Sequence, residues 1–85
     1  MSAADPVRVT LLTRPGCHLC DDARAVVTAV CDELGVAWEE RDILSDPALA
    51  DRYWDEIPVV LVDGRQHAFW RVDGDRLRAA LAAPV

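Results

Sequence analysis

Two cysteines three positions apart, Cys17 and Cys20, sit in the stretch Arg14-Pro15-Gly16-Cys17-His18-Leu19-Cys20-Asp21. Such a pair can be a working redox couple, half of a metal site or two buried thiols. Its position favours the first. An apolar run precedes it and a helical pattern follows, so Cys17 falls at a helix N-terminus. Free N–H groups and the positive end of the helix dipole stabilise a thiolate there, and the thiolate is the form that attacks disulfides. Cys20, one turn in, can reach back to the Cys17 sulfur and is read as the shielded, resolving thiol. His18, when protonated, adds positive charge beside Cys17, while Asp21 and Asp22 oppose it. The N–H donors and the dipole should prevail, because they point at the sulfur and the carboxylates can turn to solvent.

Cys31 lies fourteen residues beyond Cys17, about 21 Å along a continuous helix rising about 1.5 Å per residue. A disulfide needs Cα atoms within about 7 Å, so Cys31 is read as a small core hydrophobe. Structural zinc would need four ligands. Beyond the pair, the soft candidates are His18, Cys31 and His67. Cys31 is too far, and His18 is wedged between the two cysteines. His67 is read as solvated.

The elements that must position the pair follow from spacing. Val7 to Thr13 is rich in branched residues and ends at Pro15-Gly16, as a buried strand does. Ala23, Val26, Val27, Val30 and Leu34 recur at helical spacing, and Gly35 follows where a left-handed residue closes a helix. The first helix therefore runs from about Leu19 to Leu34. Val36 to Asp42 is a shorter, more polar strand, suited to a sheet edge. Asp46 can cap a second helix with Pro47 in its first turn; Leu49 and Tyr53 lie four apart on it, and Ile57-Pro58 ends it. Val59 to Val62 is a strand, Asp63-Gly64 a two-residue hairpin signal, and Arg65 to Val72 the returning strand. Asp73 can cap a last helix bearing Leu77 and Leu81. The order is β-α-β-α-β-β-α, an α/β fold with one mixed four-stranded sheet and helices on both faces. Trp38, Trp54 and Trp70 are read as packing residues, with Trp54 near enough to Ile57-Pro58 to border the active face. Asp55-Glu56 is read as solvated charge that could select substrates.

With 85 residues, 52% of them hydrophobic, the chain is expected to form one domain over 1–85 with a modest core. No apolar run nears the roughly 20 residues that span a bilayer. Met1 to Pro6 lacks the basic and apolar segments of a leader, so a cytoplasmic monomer is expected. The net charge is −6 and all nine basic residues are arginines. Such an acidic balance disfavours nucleic acid. Three cysteines do not make the even framework of a secreted, disulfide-stapled domain.

Over nearly its full length the chain resembles the glutaredoxin-like branch of the thioredoxin fold, above all a group of short bacterial proteins with Arg-Pro-Gly-Cys-His-Leu-Cys. The likeness rests on Arg14 to Cys20, on Ile57-Pro58-Val59-Val60, and on Val72 to Leu77 at the start of the last helix. It implies thiol–disulfide exchange, with Cys17 forming a mixed disulfide and Cys20 resolving it. It implies a cis Pro58 that presents the Ile57 backbone to substrate. It also places Arg14, His18 and Leu19 at the substrate, with Arg14 taking a glutathione carboxylate and the N–H groups near Gly74 and Asp75 taking another. No tightly bound cofactor is implied; glutathione or another low-molecular-weight thiol would be a cosubstrate. The partners would be a disulfide-containing protein or small thiol, and a thiol reductant or reductase. Gly16 stands where thioredoxins carry Trp, His18-Leu19 where they carry Gly-Pro, and residues 7–13 lack their buried carboxylate. Leu19 also replaces the aromatic usual in glutaredoxins, and only Gly74-Asp75 remains of their Gly-Gly-x-Asp turn. The alternative is a non-catalytic module of the same fold that holds an iron–sulfur cluster or docks on a partner. Retention of both cysteines favours the enzyme, since docking needs no resolving thiol.

Overall fold

The computed structural model describes residues 6–82. The N-terminal stretch read for a leader falls mainly on residues 1–5, which lie outside the described residues. Strands β1 (Val9–Thr13), β2 (Trp38–Asp42), β3 (Val59–Val62) and β4 (Arg65–Phe69) alternate with helices α1 (His18–Leu34), α2 (Pro47–Tyr53) and α3 (Gly74–Ala82). Short 3₁₀ turns at Ile43–Ser45 and Trp54–Glu56 flank α2. The sheet order is β2-β1-β3-β4. β1 runs parallel to β2 and antiparallel to β3, and β3 pairs antiparallel with β4. The expected element order and mixed sheet are thus present.

Alternation along the two central strands divides the core. Val9, Leu11 and Val60 face α1 and α3, meeting Ala23, Val27, Val30, Cys31, Leu77 and Leu81. Leu12 and Val59 face the other way, toward Ile43, Tyr53, Ile57 and Cys20. Leu11 and Leu12 are almost fully buried, positions where truncation to alanine costs about 2–5 kcal/mol. β2 turns almost entirely to solvent, and its Glu-Glu-Arg-Asp sequence suits an edge that must not recruit another strand.

Local signals place the breaks. Gly35 adopts φ 66° and its N–H reaches the Cys31 carbonyl, closing α1. Asp46 accepts from the Ala48 N–H at 2.9 Å with Pro47 behind it, opening α2. Asp63 and Gly64 both carry positive φ in the hairpin. There Arg8 forks over Asp63, at 3.0 and 2.9 Å, and donates a third bond to the Leu81 carbonyl at 3.1 Å.

Several boundaries differ from expectation, among them β2, which begins at Trp38 rather than Val36. β1 begins at Val9 rather than Val7, whose side chain is exposed. β4 stops at Phe69 rather than Val72, because Trp70 takes a left-handed backbone with φ 63° that turns the chain out of the sheet. Its N–H then finds the Pro58 carbonyl at 2.8 Å. Among the described residues no helix is long and apolar enough to cross a membrane.

Candidate active site at the start of the first helix

Pro15-Gly16 makes the turn between β1 and α1. Gly16 has φ 76°, a conformation that glycine adopts at no steric cost. The turn delivers Cys17 as the N-cap of α1, and its sulfur accepts the Cys20 N–H at 3.2 Å. In most proteins a serine, threonine, aspartate or asparagine oxygen occupies this place. Here a thiol does, so a donor the helix must satisfy is spent on the Cys17 sulfur. The helix therefore starts one residue before the expected Leu19, and the cysteine pair spans its first turn.

The three thiols are free in this structure. Cys17 is half-buried, while Cys20 lies only 1% exposed against Leu12, Ile57 and Val59. The Cys20 thiol is pushed up to about 12, chiefly by burial and then by its hydrogen bond with Cys17, while an Arg14 backbone bond and the charge of Arg24 pull it down. Cys31 is buried in the other core layer, thirteen residues into an unbroken α1, and burial raises its thiol as well. Among the described residues no three His, Cys, Asp or Glu side chains are grouped to hold a metal ion.

Two hollows flank Arg14, and the smaller contains the pair. The smaller, about 220 Å³, is lined by Cys17, His18, Cys20 and Arg24. The larger, about 550 Å³, is walled by Trp54, Phe69 and Trp70 over Leu19 and Ile57. Arg14 lines both, with its guanidinium 4.9 Å over the Trp54 ring. The Ile57-Pro58 bond is cis, and Pro58 is fully buried beneath.

Arg14, His18, Leu19 and Ile57 thus come together around the cysteines. Gly74 and Asp75 do not line either hollow. Gly74 packs toward α1, where a Cβ would meet Val26 Cγ1 at 3.4 Å. The Asp75 N–H donates to Asp73 Oδ1 at 2.8 Å, with the Arg76 N–H at 3.3 Å, and the Asp75 carboxylate pairs with Arg78. The Asp75 donor expected to take a carboxylate there is held by Asp73 instead, because an acidic N-cap is a ready intramolecular acceptor.

Several other residues correct the sequence reading. Trp54 and Trp70 are not packing residues; they stand 49% and 53% exposed, and only Trp38 packs against the core. His67 is half-buried rather than solvated, and burial, then the Arg76 charge, lowers its pKa. Residues 7–13 carry no carboxylate, but Glu40 on the neighbouring strand β2 places one against Thr13 of β1. Glu40 receives Arg24 at 2.7 and 2.8 Å and the Thr13 hydroxyl at 2.9 Å, while Arg24 also binds Asp21 at 2.8 Å. The guanidinium holds Glu40 below the usual carboxylate range although burial opposes it. Leu11↔Glu40 pairing in the sheet makes this cross-link possible, and no residue type in the sequence announces it.

The profile of the glutaredoxin-like domain family (DUF836) matches residues 8–82. Uncharacterized proteins of Mycobacterium tuberculosis and Mycobacterium bovis are each 39% identical over 80 residues, covering 88% of this chain and 82% of theirs. A structural-genomics target protein from X. campestris, XcR50, shares 37% identity at a TM-score of 0.72, over 89% of this chain and 99% of that one. A thioredoxin from Halobacterium salinarum shares the fold at 23% identity and a TM-score of 0.61, over 85% of this chain and 68% of that one. The architecture is thioredoxin-like.

Proposed function

The chain belongs to the glutaredoxin-like domain family, and from that premise we propose that it is a thiol–disulfide oxidoreductase, with Cys17 the nucleophile and Cys20 the resolving thiol. The observation that carries this reading is the bond from the Cys20 N–H to Cys17 Sγ, with the Cys20 side chain buried directly behind.

The steps follow from that geometry. The Cys17 thiolate attacks one sulfur of a substrate disulfide; a Cys17–substrate disulfide forms and the other sulfur leaves as a thiolate. Cys20 then gives up its proton and attacks Cys17 Sγ. A Cys17–Cys20 disulfide forms, and the second substrate sulfur leaves and takes the proton. Two electrons pass from protein to substrate. Burial keeps Cys20 a thiol until then, but two of the forces that raise it, the hydrogen bond and the charge of Cys17, end once Cys17 is in the mixed disulfide. Cys20 thus becomes easier to ionise at the step that requires it.

The substrates are mixed disulfides of proteins or small molecules. The reduced pair is restored by glutathione, another low-molecular-weight thiol or a reductase, in a cytoplasmic setting. A titration in thiol–disulfide buffers, quenched by alkylation under denaturing conditions and read by peptide mass, tests the scheme. Cys17 and Cys20 should interconvert together while Cys31 stays a thiol. A pair that never oxidises, or a Cys31 that takes part, would replace this reading with docking or cluster binding.

A further inference from the structure

We propose that the cleft beside the cysteines selects an extended polypeptide whose disulfide cysteine is flanked, within a few residues, by an aromatic or bulky apolar side chain and a carboxylate. This names the substrate class of the redox site and rests on that reading.

The first argument is composition. The chain has only five aromatic residues, and three of them, Trp54, Phe69 and Trp70, stand exposed around one cleft. They are already ordered. The Trp70 indole N–H donates to the Asp55 carbonyl at 2.9 Å, its main-chain N–H donates to Pro58, and the Phe69 and Trp70 rings meet edge to face at 5.1 Å. Rigid aromatic walls lose little entropy when a partner binds. Trp and Arg are also the side chains on which protein–protein binding energy concentrates.

The second argument is charge. Arg8, Arg24, Arg41 and Arg78 are ion-paired. Among the described residues Arg14, Arg52, Arg65, Arg71 and Arg76 have no carboxylate partner, in a chain with fifteen acidic residues, and of these Arg14 and Arg71 line this one cleft. Asp55 is the one acidic residue on its wall. Two unpaired guanidiniums against one carboxylate favour an anionic side chain in this cleft itself, whereas the adjoining hollows carry Asp21 and Asp22 and do not.

Shape decides between a small thiol and a chain. Arg14 joins the cleft to the cysteine hollow, and Leu19, Trp70 and Arg71 join it to a third hollow of about 110 Å³ that reaches Val26 and Val72. An extended segment can follow three connected hollows; a compact thiol fills one. A small dicarboxylate thiol also finds the α3 donors taken by Asp73.

The test uses the full reduced chain and three peptides with the same internal disulfide. They differ only beside one cysteine, carrying Tyr and Asp, Ser and Asn, or Tyr and Lys. Reduction is followed by quenched alkylation and mass, and binding by Trp fluorescence with the same peptides bearing Ser for Cys. The Tyr–Asp peptide should be reduced and bound at least about tenfold better than the other two, the scale of one good anchor contact. Arg71→Glu should reverse the order of the Tyr–Asp and Tyr–Lys peptides. Equal rates and equal binding across the three overturn the proposal. So does glutathione disulfide reduced as fast as the best peptide by both wild type and Arg71→Glu. If no disulfide is reduced yet the Ser peptides keep the same order of binding, the redox reading falls and the cleft assignment stands.

Discussion

The two helices that pack on the same face of the sheet begin in contrasting ways. α1 opens on Cys17, whose sulfur takes the Cys20 N–H. α3 opens on Asp73, whose carboxylate takes the N–H groups of Asp75 and Arg76. α2 repeats the second pattern with Asp46. A helix start supplies free donors and a positive potential in each case, yet only one of the three offers them to an atom that can do chemistry. The fold supplies the field at every helix start; the capping residue decides whether it stabilises the protein or a reactive group.

The sharpest way to break the contrast is to give α1 an ordinary cap. Cys17→Ser keeps an acceptor at the N-cap, and disulfide reduction should fall to the uncatalysed rate, while circular dichroism shows α1 intact. Activity surviving in Cys17→Ser would transfer the nucleophile elsewhere. Cys20→Ser should leave the first attack and remove the second, so that a Cys17–substrate adduct accumulates by intact mass. An adduct that clears as fast as in wild type would deny Cys20 the resolving role.

A smaller effect separates the thiols by pH. Cys20 is raised in the folded, reduced protein, so its contribution to stability is complete below the unfolded thiol value of about 8.5. It is lost as pH rises toward about 12. Urea midpoints of the reduced protein should therefore fall between pH 8.5 and about 10, and fall less in Cys20→Ala, where Cys31 is still present as an internal control. Parallel curves would mean that burial does not hold Cys20 protonated.

Opening the cap of α3 tests the other half. Asp73→Ala should cost about 1 kcal/mol in urea unfolding with disulfide reduction unchanged, since no step uses that helix start. The weakest effect belongs to the Arg24 clasp. Glu40 is depressed, so its contribution is present above the unfolded carboxylate value of about 4.3 and lost as pH falls through its lower folded value. Both partners are partly exposed, so Arg24→Gln should cost about 0.5–1 kcal/mol at pH 7 and flatten the acid limb of the stability curve. An unchanged acid limb would show that the clasp leaves Glu40 as it is in the unfolded chain.

How much of this could be read from residues alone varies with the range of the interaction. Gly35, Asp46-Pro47 and Asp63-Gly64 are local signals and mark their breaks. The cysteine pair is legible for the same reason, since its chemistry and its helix start are four residues of one stretch. Trp70 is not legible. The strand expected over Arg65 to Val72 runs straight through it, and nothing in a tryptophan announces a left-handed backbone; the turn is accompanied by the bond from its N–H to the Pro58 carbonyl. The Thr13–Glu40–Arg24 clasp is likewise a product of strand register. Gly74-Asp75 is a different case. The sequence offers Asp73 as a cap and the resemblance offers the neighbouring N–H groups to a ligand, and here Asp73 takes those of Asp75 and Arg76.

The fork of Arg8 has a consequence for how the molecule is completed. It joins a strand start to a hairpin 55 positions on and to a helix end 73 positions on. Closing segments of that length costs entropy that grows only as the logarithm of length; the two bonds to Asp63 offset it for the hairpin, and only the third, to Leu81, needs α3 in place. The guanidinium is thus a clasp with one arm for each closure. Its Nη1 group, which donates to the Leu81 carbonyl, senses whether the final helix is seated, while Nε and Nη2 sense the hairpin.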